Sequence, residues 1–327
     1  MIIVKAPTRI SFGGGGTDLA TYYEKYGGLV VSTSIDKYFY SFFKPRNDKK
    51  IQIISSDLGI IKTFENFDHL DFGELAIPVA VIKHFDFKKG FELFLSSEVP
   101  VGSGLGGSSS LCVNLVKLFS DLQNLNLSKK EIAEEAYKVR VNDLKLPVGK
   151  QDEYAAAFGG MNFIQFEKDD VKVETLKIRN DIKEHLQKNL TVFYTGKSKD
   201  STPILKSMEK ASGQSIDALH TAKKLGLEIK KSLESGDLQK FGELLHESWL
   251  AKKNFAKGVS NESLDKVYEL ARKNGALGGK LMGAGGAGFF LFYCESQNQE
   301  NLRKALEKEN LQKFEINFEN DGVTKLK

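Results

Sequence analysis

The sequence predicts a protein of mixed α and β structure with about two domains. Strand-like apolar stretches are concentrated in the first half of the chain, and amphipathic helical patterns dominate the second half. The 327 residues are 41% hydrophobic, enough to bury a large core, and this length is typical of about two domains. The net charge of +4 comes from scattered lysines rather than a basic patch, so we expect no nucleic-acid partner.

Four strands are predicted in the first half and one near the end of the chain. Each stretch has alternating or continuous apolar residues, and several are rich in valine, isoleucine and phenylalanine. The predicted strands are residues 2–12, 29–44, 50–55, 91–99 and 289–294.

Helices are predicted from the spacing of apolar residues and from capping signals. One begins after residue 110, with leucines recurring at helical spacing up to Leu122. The next has a capping box, Ser128 with Glu131 three residues later. In the second half, residues 216–233 and 238–255 predict an antiparallel pair, and residues 261–274 predict a further helix.

Residues 100–110 (PVGSGLGGSSS) are the most informative segment. They lie between a predicted strand and a predicted helix, and a helix N-terminus offers free backbone N–H groups and a positive dipole end to a phosphate. Glycines allow a close backbone approach, and the serines add hydroxyls. The spacing matches neither a Walker A motif nor a dinucleotide fingerprint. A phosphate-binding loop is favoured, and a flexible Gly/Ser loop is the alternative.

Two further glycine clusters occur, at residues 13–16 after a predicted strand and at residues 283–288 before one. Each could serve only to let two backbones pack closely. Three such segments in one chain favour an anionic ligand in a shared cleft.

The cysteines and histidines give no metal signature. Cys112 and Cys294 lack metal-ligand spacing and lie in apolar surroundings, so we expect buried free thiols in a reducing cytoplasm. The five histidines form no ligand pair and receive no role. No apolar run is long enough to span a membrane and no signal peptide is present, so we predict a cytoplasmic protein without a membrane partner.

Four segments in order resemble the GHMP kinases, the superfamily named for galactokinase, homoserine kinase, mevalonate kinase and phosphomevalonate kinase. They are residues 6–12, 15–18, 100–110 and 280–286. Residues 13–18, 146–160, 193–196 and 246–249 further resemble the heptose kinase branch. The resemblance implies a two-domain α+β GHMP kinase fold. An N-terminal domain like the second domain of ribosomal protein S5 would span residues 1–178, and a ferredoxin-like C-terminal domain residues 179–327.

The same resemblance implies an ATP-dependent kinase that uses Mg²⁺. Asp152 would be the general base, with Arg9 as the cation beside it. By residue type alone a structural ion pair is favoured, and the order of the motifs reverses that preference. The residues implied to bind ATP are Gly102, Ser103, Gly104, Leu105, Gly106, Gly107, Ser108, Ser109, Gly283, Ala284, Gly285 and Gly286. The residues implied to bind the sugar that accepts the phosphoryl group are Gly15, Gly16, Thr17, Asp18, Lys150 and Gln151. Ser108 would contact Mg²⁺.

One departure from the family pattern concerns the metal. Sugar kinases of this superfamily usually carry a glutamate about a dozen residues before the base, and here that position is Arg140. A cation cannot ligate Mg²⁺, so Asp143, one helical step away, is a candidate substitute. Glu153 also stands where glutamine is common.

The expected activity is phosphorylation of the anomeric hydroxyl of D-glycero-D-manno-heptose 7-phosphate. The alternatives are another GHMP kinase, of the galactose, fucose or mevalonate type, and a non-catalytic relative. An acceptor that already carries a phosphate needs a cation, for which Lys150, Lys197, Lys199, Lys252 and Lys253 are candidates. The partners are therefore ATP and a small sugar, and the protein is expected to be a monomer or a homodimer.

Overall fold

Two β-sheets form the framework of the protein. The structure is a computed structural model that describes all residues, 1–327. The strands are β1 (Ile2–Gly13), β2 (Gly28–Pro45), β3 (Ile51–Ser55), β4 (Ile60–Phe64), β5 (Phe91–Ser97), β6 (Met161–Phe166), β7 (Val171–Thr175), β8 (Leu190–Tyr194), β9 (Ala276–Leu281), β10 (Phe289–Cys294), β11 (Gln312–Phe314) and β12 (Thr324–Lys325). The helices are α1 (Ala20–Tyr26), α2 (Ala76–His84), α3 (Gly107–Leu122), α4 (Lys129–Lys138), α5 (Gln151–Phe158), α6 (Asn180–Asn189), α7 (Thr202–Glu209), α8 (Gln214–Ser235), α9 (Leu238–Lys252), α10 (Glu262–Lys273) and α11 (Gln299–Lys308).

The first sheet is organised by the long strand β2. Its order is β12-β1-β2-β5-β3-β4, and β6 and β7 continue from the first part of β2. All of its pairs are antiparallel except β3 with β5. Helix α3 packs on β1 and β2, and its buried Asn114 donates hydrogen bonds to the carbonyls of Val4 and Phe39. This anchors the predicted phosphate-binding helix to the centre of the sheet.

The second sheet is antiparallel, in the order β11-β8-β10-β9. Helix α9 lies on β9 at very short range, because glycines face each other. A Cβ added to Gly278 would lie 1.9 Å from the carbonyl oxygen of Gly242. Helices α8 and α9 form the predicted antiparallel pair, and α8 also contacts β1 and β2 of the first sheet.

A shared apolar core joins the two sheets. Ile10 and Phe12 of β1 belong to the same buried cluster as Ile229 of α8 and Phe241 of α9, and the rings of Phe12 and Phe241 pack edge to face. The halves of the chain are therefore held together by hydrophobic burial, and the end of β1 lies at their junction.

The chain passes from the first sheet to the second between β7 and β8, close to the predicted boundary at residue 178. The last residues return, since β12 pairs with β1 and Phe318 forms a bridge with Ile35. The predicted second domain, residues 179–327, thus includes a tail that the structure places on the first sheet.

The predicted elements are confirmed with small shifts at their ends. All five predicted strands are present, and Ser128 and Glu131 form the predicted capping box of α4. Periodicity did not predict short elements such as β4, α7 and β11. Cys112 and Cys294 are buried free thiols, as expected. No helix has both the length and the apolar character needed to cross a membrane.

Candidate active site

A cavity of about 560 Å³ lies where the two halves of the chain meet. All three predicted glycine segments line it, represented by Gly15, by Gly104 and by Gly283. Its walls come from both sheets, from the ends of β1 and β5 and from helices α3, α5 and α9. The structure therefore brings together segments that are far apart in the sequence.

The segment before α3 has the backbone of an anion-binding loop. Gly102, Gly104 and Gly106 have φ of +71°, +86° and +82°, and the residues between them do not enter the left-handed region. Such alternation turns successive N–H groups toward one side. Gly106 is the N-cap of α3 and provides no side-chain cap, so the first N–H groups of the helix stay free for a ligand. Ser108 in the first turn is exposed to the cavity.

Replacing Gly106 by valine is expected to weaken ATP binding by at least tenfold. The backbone at this position has φ of +82°, a left-handed conformation that valine strongly disfavours, and the added Cβ would contact the carboxyl carbon of Asp152 at 3.5 Å. Calorimetry with a non-hydrolysable ATP analogue measures the change. Gly213→Val is the matched control, because Gly213 has φ of +50° and no atom within 4 Å of an added Cβ. Equal affinity in both variants would contradict a phosphate-binding loop.

Arg9 and Asp152, both in the lining of the cavity, form a bidentate ion pair. Nε of Arg9 donates to Oδ1 of Asp152 at 2.7 Å, and Nη2 donates to Oδ2 at 2.8 Å. The remaining nitrogen, Nη1, donates to the carbonyl of Gly104 at 2.7 Å. The Arg9 side chain is 4% exposed, while that of Asp152 is 23% exposed. The carboxylate is thus fixed in place but remains open to a ligand, next to the phosphate loop.

A second polar group faces the same space from the first glycine cluster. Oδ1 of Asp18 accepts from the backbone N–H of Gly16 at 2.9 Å and from Nε2 of Gln151 at 3.2 Å, while Oδ2 accepts from the backbone N–H of Gln151 at 3.2 Å. Burial raises the pKa of Asp18, and the nearby Asp152 carboxylate raises it further. Oε1 of Gln151 is buried and has no partner. This pair therefore offers hydrogen-bonding groups to a polyhydroxyl ligand.

Several predicted residues lie elsewhere. Thr17 is buried and uses its hydroxyl to hold the loop, donating to the carbonyl of Gly14 and accepting from the N–H of Leu29. Lys150 pairs with Glu134 at 2.8 Å, outside the cavity lining. Leu105 and Gly286 also fall outside the lining. These positions shape the loops rather than face a ligand.

Asp143 does not reach the phosphate loop. Its carboxylate lies 3.3 Å from Nδ1 of His84, and it is not part of the cavity lining. It ends a π-helical turn, Val139–Asp143, which continues α4. The structure therefore gives no support to Asp143 as a metal ligand.

Arg140 on that π-helical turn points inward instead. Its Nη1 donates to Oε1 of Glu153 at 2.5 Å and also contacts Oγ of Ser109. Arg140 is 8% exposed and Glu153 is fully buried. Nε of Arg140 and Oε2 of Glu153 have no partners. The two departures from the family pattern thus form one buried ion pair at the base of the phosphate loop.

Sequence reasoning missed Lys280 as a site residue. It belongs to β9, is 5% exposed and lines the cavity, and Nζ donates to the carbonyl of Phe12 at 3.3 Å. Its place just before the third glycine segment was the available signal. Lys252 of α9, one of the candidate phosphate ligands, also lines the cavity, as does Lys199. Lys197 and Lys253 do not.

The oxygen donors at the loop can supply a few ligands to Mg²⁺, but they do not form a complete coordination shell. Ser108 provides a hydroxyl, and Asp152 provides a partly exposed carboxylate in the same lining. No group of three His, Cys, Asp or Glu side chains in the whole chain could hold a metal. Mg²⁺ commonly takes most of its ligands from phosphates and water, which this donor set allows.

The sequence matches two family models that together span both halves of the chain. Residues 75–160 match the GHMP kinases N terminal domain, and residues 229–313 match the GHMP kinases C terminal domain. The first match contains the phosphate loop and Asp152, and the second contains Lys280 and the third glycine segment. The chain belongs to the GHMP kinases, a family of ATP-dependent kinases, and the predicted fold is confirmed.

Similar proteins include sugar kinases over the full length. The chain is 36% identical to the D-glycero-alpha-D-manno-heptose 7-phosphate kinase of Campylobacter jejuni, with 98% of both proteins covered. It is 25% identical to the galactokinase of Pyrococcus furiosus, over 96% of this chain and 94% of that protein. The crystal structure of a D-glycero-D-manno-heptose 1-phosphate kinase from Bacteroides thetaiotaomicron superposes with a TM-score of 0.84 at 30% identity, covering 100% of this chain and 99% of that one.

Proposed function

We propose that this protein is an ATP-dependent sugar kinase that phosphorylates the anomeric hydroxyl of D-glycero-D-manno-heptose 7-phosphate. One observation carries the proposal: the Arg9–Asp152 pair lies between the glycine loop that precedes α3 and the hydrogen-bonding groups of Asp18 and Gln151. Such a site can hold a nucleotide phosphate and a polyol against the same carboxylate. The heptose kinases among the similar proteins support the choice of acceptor.

The carboxylate of Asp152 acts as the general base in this proposal. Arg9 occupies one lone-pair site on each oxygen, and a carboxylate has about four, so a site remains for the acceptor hydroxyl. The hydroxyl oxygen forms a bond to the γ-phosphorus, the bond from that phosphorus to the oxygen of ADP breaks, and Asp152 takes the proton. Arg9 keeps the carboxylate in position and places positive charge beside the transferring group.

Ser108 would hold Mg²⁺ together with the nucleotide phosphates and water. When bound, the ion neutralises negative charge on the phosphates. The free N–H groups of the loop and the dipole of α3 orient the same phosphates.

A panel of sugars tests the proposal. Heptose 7-phosphate is expected to be used with a kcat/KM about 10- to 100-fold above that of unphosphorylated heptose, galactose, fucose and mevalonate. A charge-assisted hydrogen bond to the phosphate, worth roughly 1.5–3 kcal/mol, accounts for this range. Coupled measurement of ADP release gives the ratios. A preference for galactose, the substrate in the name of the Pyrococcus relative, would contradict the heptose assignment and leave a sugar kinase.

A further inference from the structure

Two buried lysines on the second-sheet side of the cavity have no role in the mechanism above. Lys252 and Lys280 are 8% and 5% exposed, and both line the cavity. Lysine is almost never fully buried unless it is paired. Here the hydrogen-bond partners of both ammonium groups are backbone carbonyls, and neither group forms a salt bridge. No carboxylate therefore pairs with either ammonium group in the free protein.

The two ammonium groups retain unused donors. Nζ of Lys252 donates to the carbonyls of Leu281 and Gly283, both at 2.6 Å, which leaves one of its three N–H groups. Nζ of Lys280 makes one longer bond of 3.3 Å to the carbonyl of Phe12, which leaves two. Several donors are thus free at one wall of the cavity.

The surrounding charges also favour an anion. Arg9 reaches this wall from β1, and Asp152 of α5 is the carboxylate that faces it, already bound to Arg9. Burial and, as the next cause, the charge of Arg9 together lower the pKa of Lys280 to about 7. Burial lowers the pKa of Lys252 well below its usual value, with Lys280 and Arg9 as the next causes. A dianion placed here would restore the protons on both lysines.

We propose that Lys280, with Lys252 beside it, is a phosphoryl-binding pair at the reaction centre. This inference rests on the proposed function, because it assumes that a phosphorylated ligand enters the cavity. Two sources have this chemistry: the γ-phosphoryl group of the nucleotide and the phosphate that the acceptor already carries. Lys252 also ties α9 to the third glycine segment, which lines the same cavity.

The test compares Lys280→Met with Lys253→Met. Methionine fills a similar volume without charge, so the buried site keeps its packing. Lys253 follows Lys252 in the chain, pairs with Asp265 at 3.3 Å and lies outside the cavity, which makes it a matched control. For each protein we measure kcat and KM for heptose 7-phosphate and for heptose, and we measure by calorimetry the affinity for a non-hydrolysable ATP analogue and for heptose 7-phosphate.

We expect Lys280→Met to worsen the affected kinetic constant or affinity by about 10- to 100-fold, whereas Lys253→Met leaves all of these quantities unchanged. If the pair binds the acceptor phosphate, KM and affinity for heptose 7-phosphate change, and the preference over heptose disappears. If it binds the γ-phosphoryl group, kcat falls equally for both sugars and the ATP analogue binds more weakly. Values equal to those of Lys253→Met in every measurement would overturn the inference.

The pH profile provides a readout that a purely structural lysine would not change. The ammonium of Lys280 is charged below its pKa of about 7 and loses its proton above it. The wild-type kcat/KM is therefore expected to fall as the pH rises above about 7, and Lys280→Met should lack this limb. Persistence of the limb in the variant would contradict the inference. If wild type phosphorylates no sugar at all, the proposed function is wrong. The affinities for the ATP analogue and for heptose 7-phosphate still test the lysine pair in that case.

Discussion

Replacing Asp152 by asparagine is expected to reduce kcat by about 10²–10⁴-fold, the usual effect of removing a general base. Asparagine keeps the size of the side chain and can still accept a hydrogen bond from Arg9, but it cannot take the proton of the acceptor hydroxyl. The affinity for the ATP analogue should stay close to that of wild type, because the phosphate loop is unchanged. Steady-state kinetics and calorimetry together separate the two effects.

Asp121→Asn is the control for this variant. Asp121 is a carboxylate at the end of α3, paired with Lys117 at 2.8 Å and remote from the cavity lining. We expect its kinetics to match those of wild type. If Asp152→Asn retained wild-type turnover, the carboxylate would be only the structural partner of Arg9, and the assignment of the base would be wrong.

Replacing Arg140 by methionine is expected to destabilise the protein by about 3–5 kcal/mol, because it leaves the buried carboxylate of Glu153 without its cation. Glu153 is fully buried, and only Oε1 has a partner, which is Arg140. Urea unfolding at pH 7 measures the loss. The same substitution removes the contact to Ser109 at the phosphate loop, so weaker ATP binding should accompany it.

The double variant Arg140→Met/Glu153→Met separates the ion pair from its packing. Nε of Arg140 and Oε2 of Glu153 are already without partners, so the pair is incompletely satisfied. Replacing both charges with apolar side chains of similar volume should therefore recover most of the lost stability. A double variant as unstable as Arg140→Met would contradict this account.

The pH dependence of the single variant has a definite sign. Burial raises the pKa of Glu153, and the charge of Arg140 opposes that rise. Without Arg140 the folded protein binds the proton of Glu153 more readily than the unfolded chain does. The free energy of unfolding of Arg140→Met should therefore decrease as the pH rises above the ordinary glutamate pKa of about 4.3. Below that pH, the difference in unfolding free energy between the variant and wild type should become smaller.

Much of the fold and the three glycine segments could be predicted from the sequence. Alternating apolar residues predicted β1 and β2, and the Ser128–Glu131 box marked the start of α4, because these signals depend only on local geometry. Short elements such as β4 were not predicted, since periodicity needs several turns or alternations to be visible. The order of motifs led to Arg9, Asp18 and Asp152, which the structure places around one cavity.

The roles of individual charged side chains depended on the tertiary structure. Lys150 and Asp143 have the right chemistry and suitable positions in the sequence, yet Glu134 and His84 hold them outside the cavity. In the sequence, Lys280 is marked only by its place just before the third glycine segment, and its role becomes visible when β9 buries it near Arg9. The sequence by itself determined the family and the fold, and it pointed to Arg9 and Asp152, because these follow from residue patterns along the chain. Which charges face the ligand was decided by burial and by partners distant in sequence, and no local pattern contains that information.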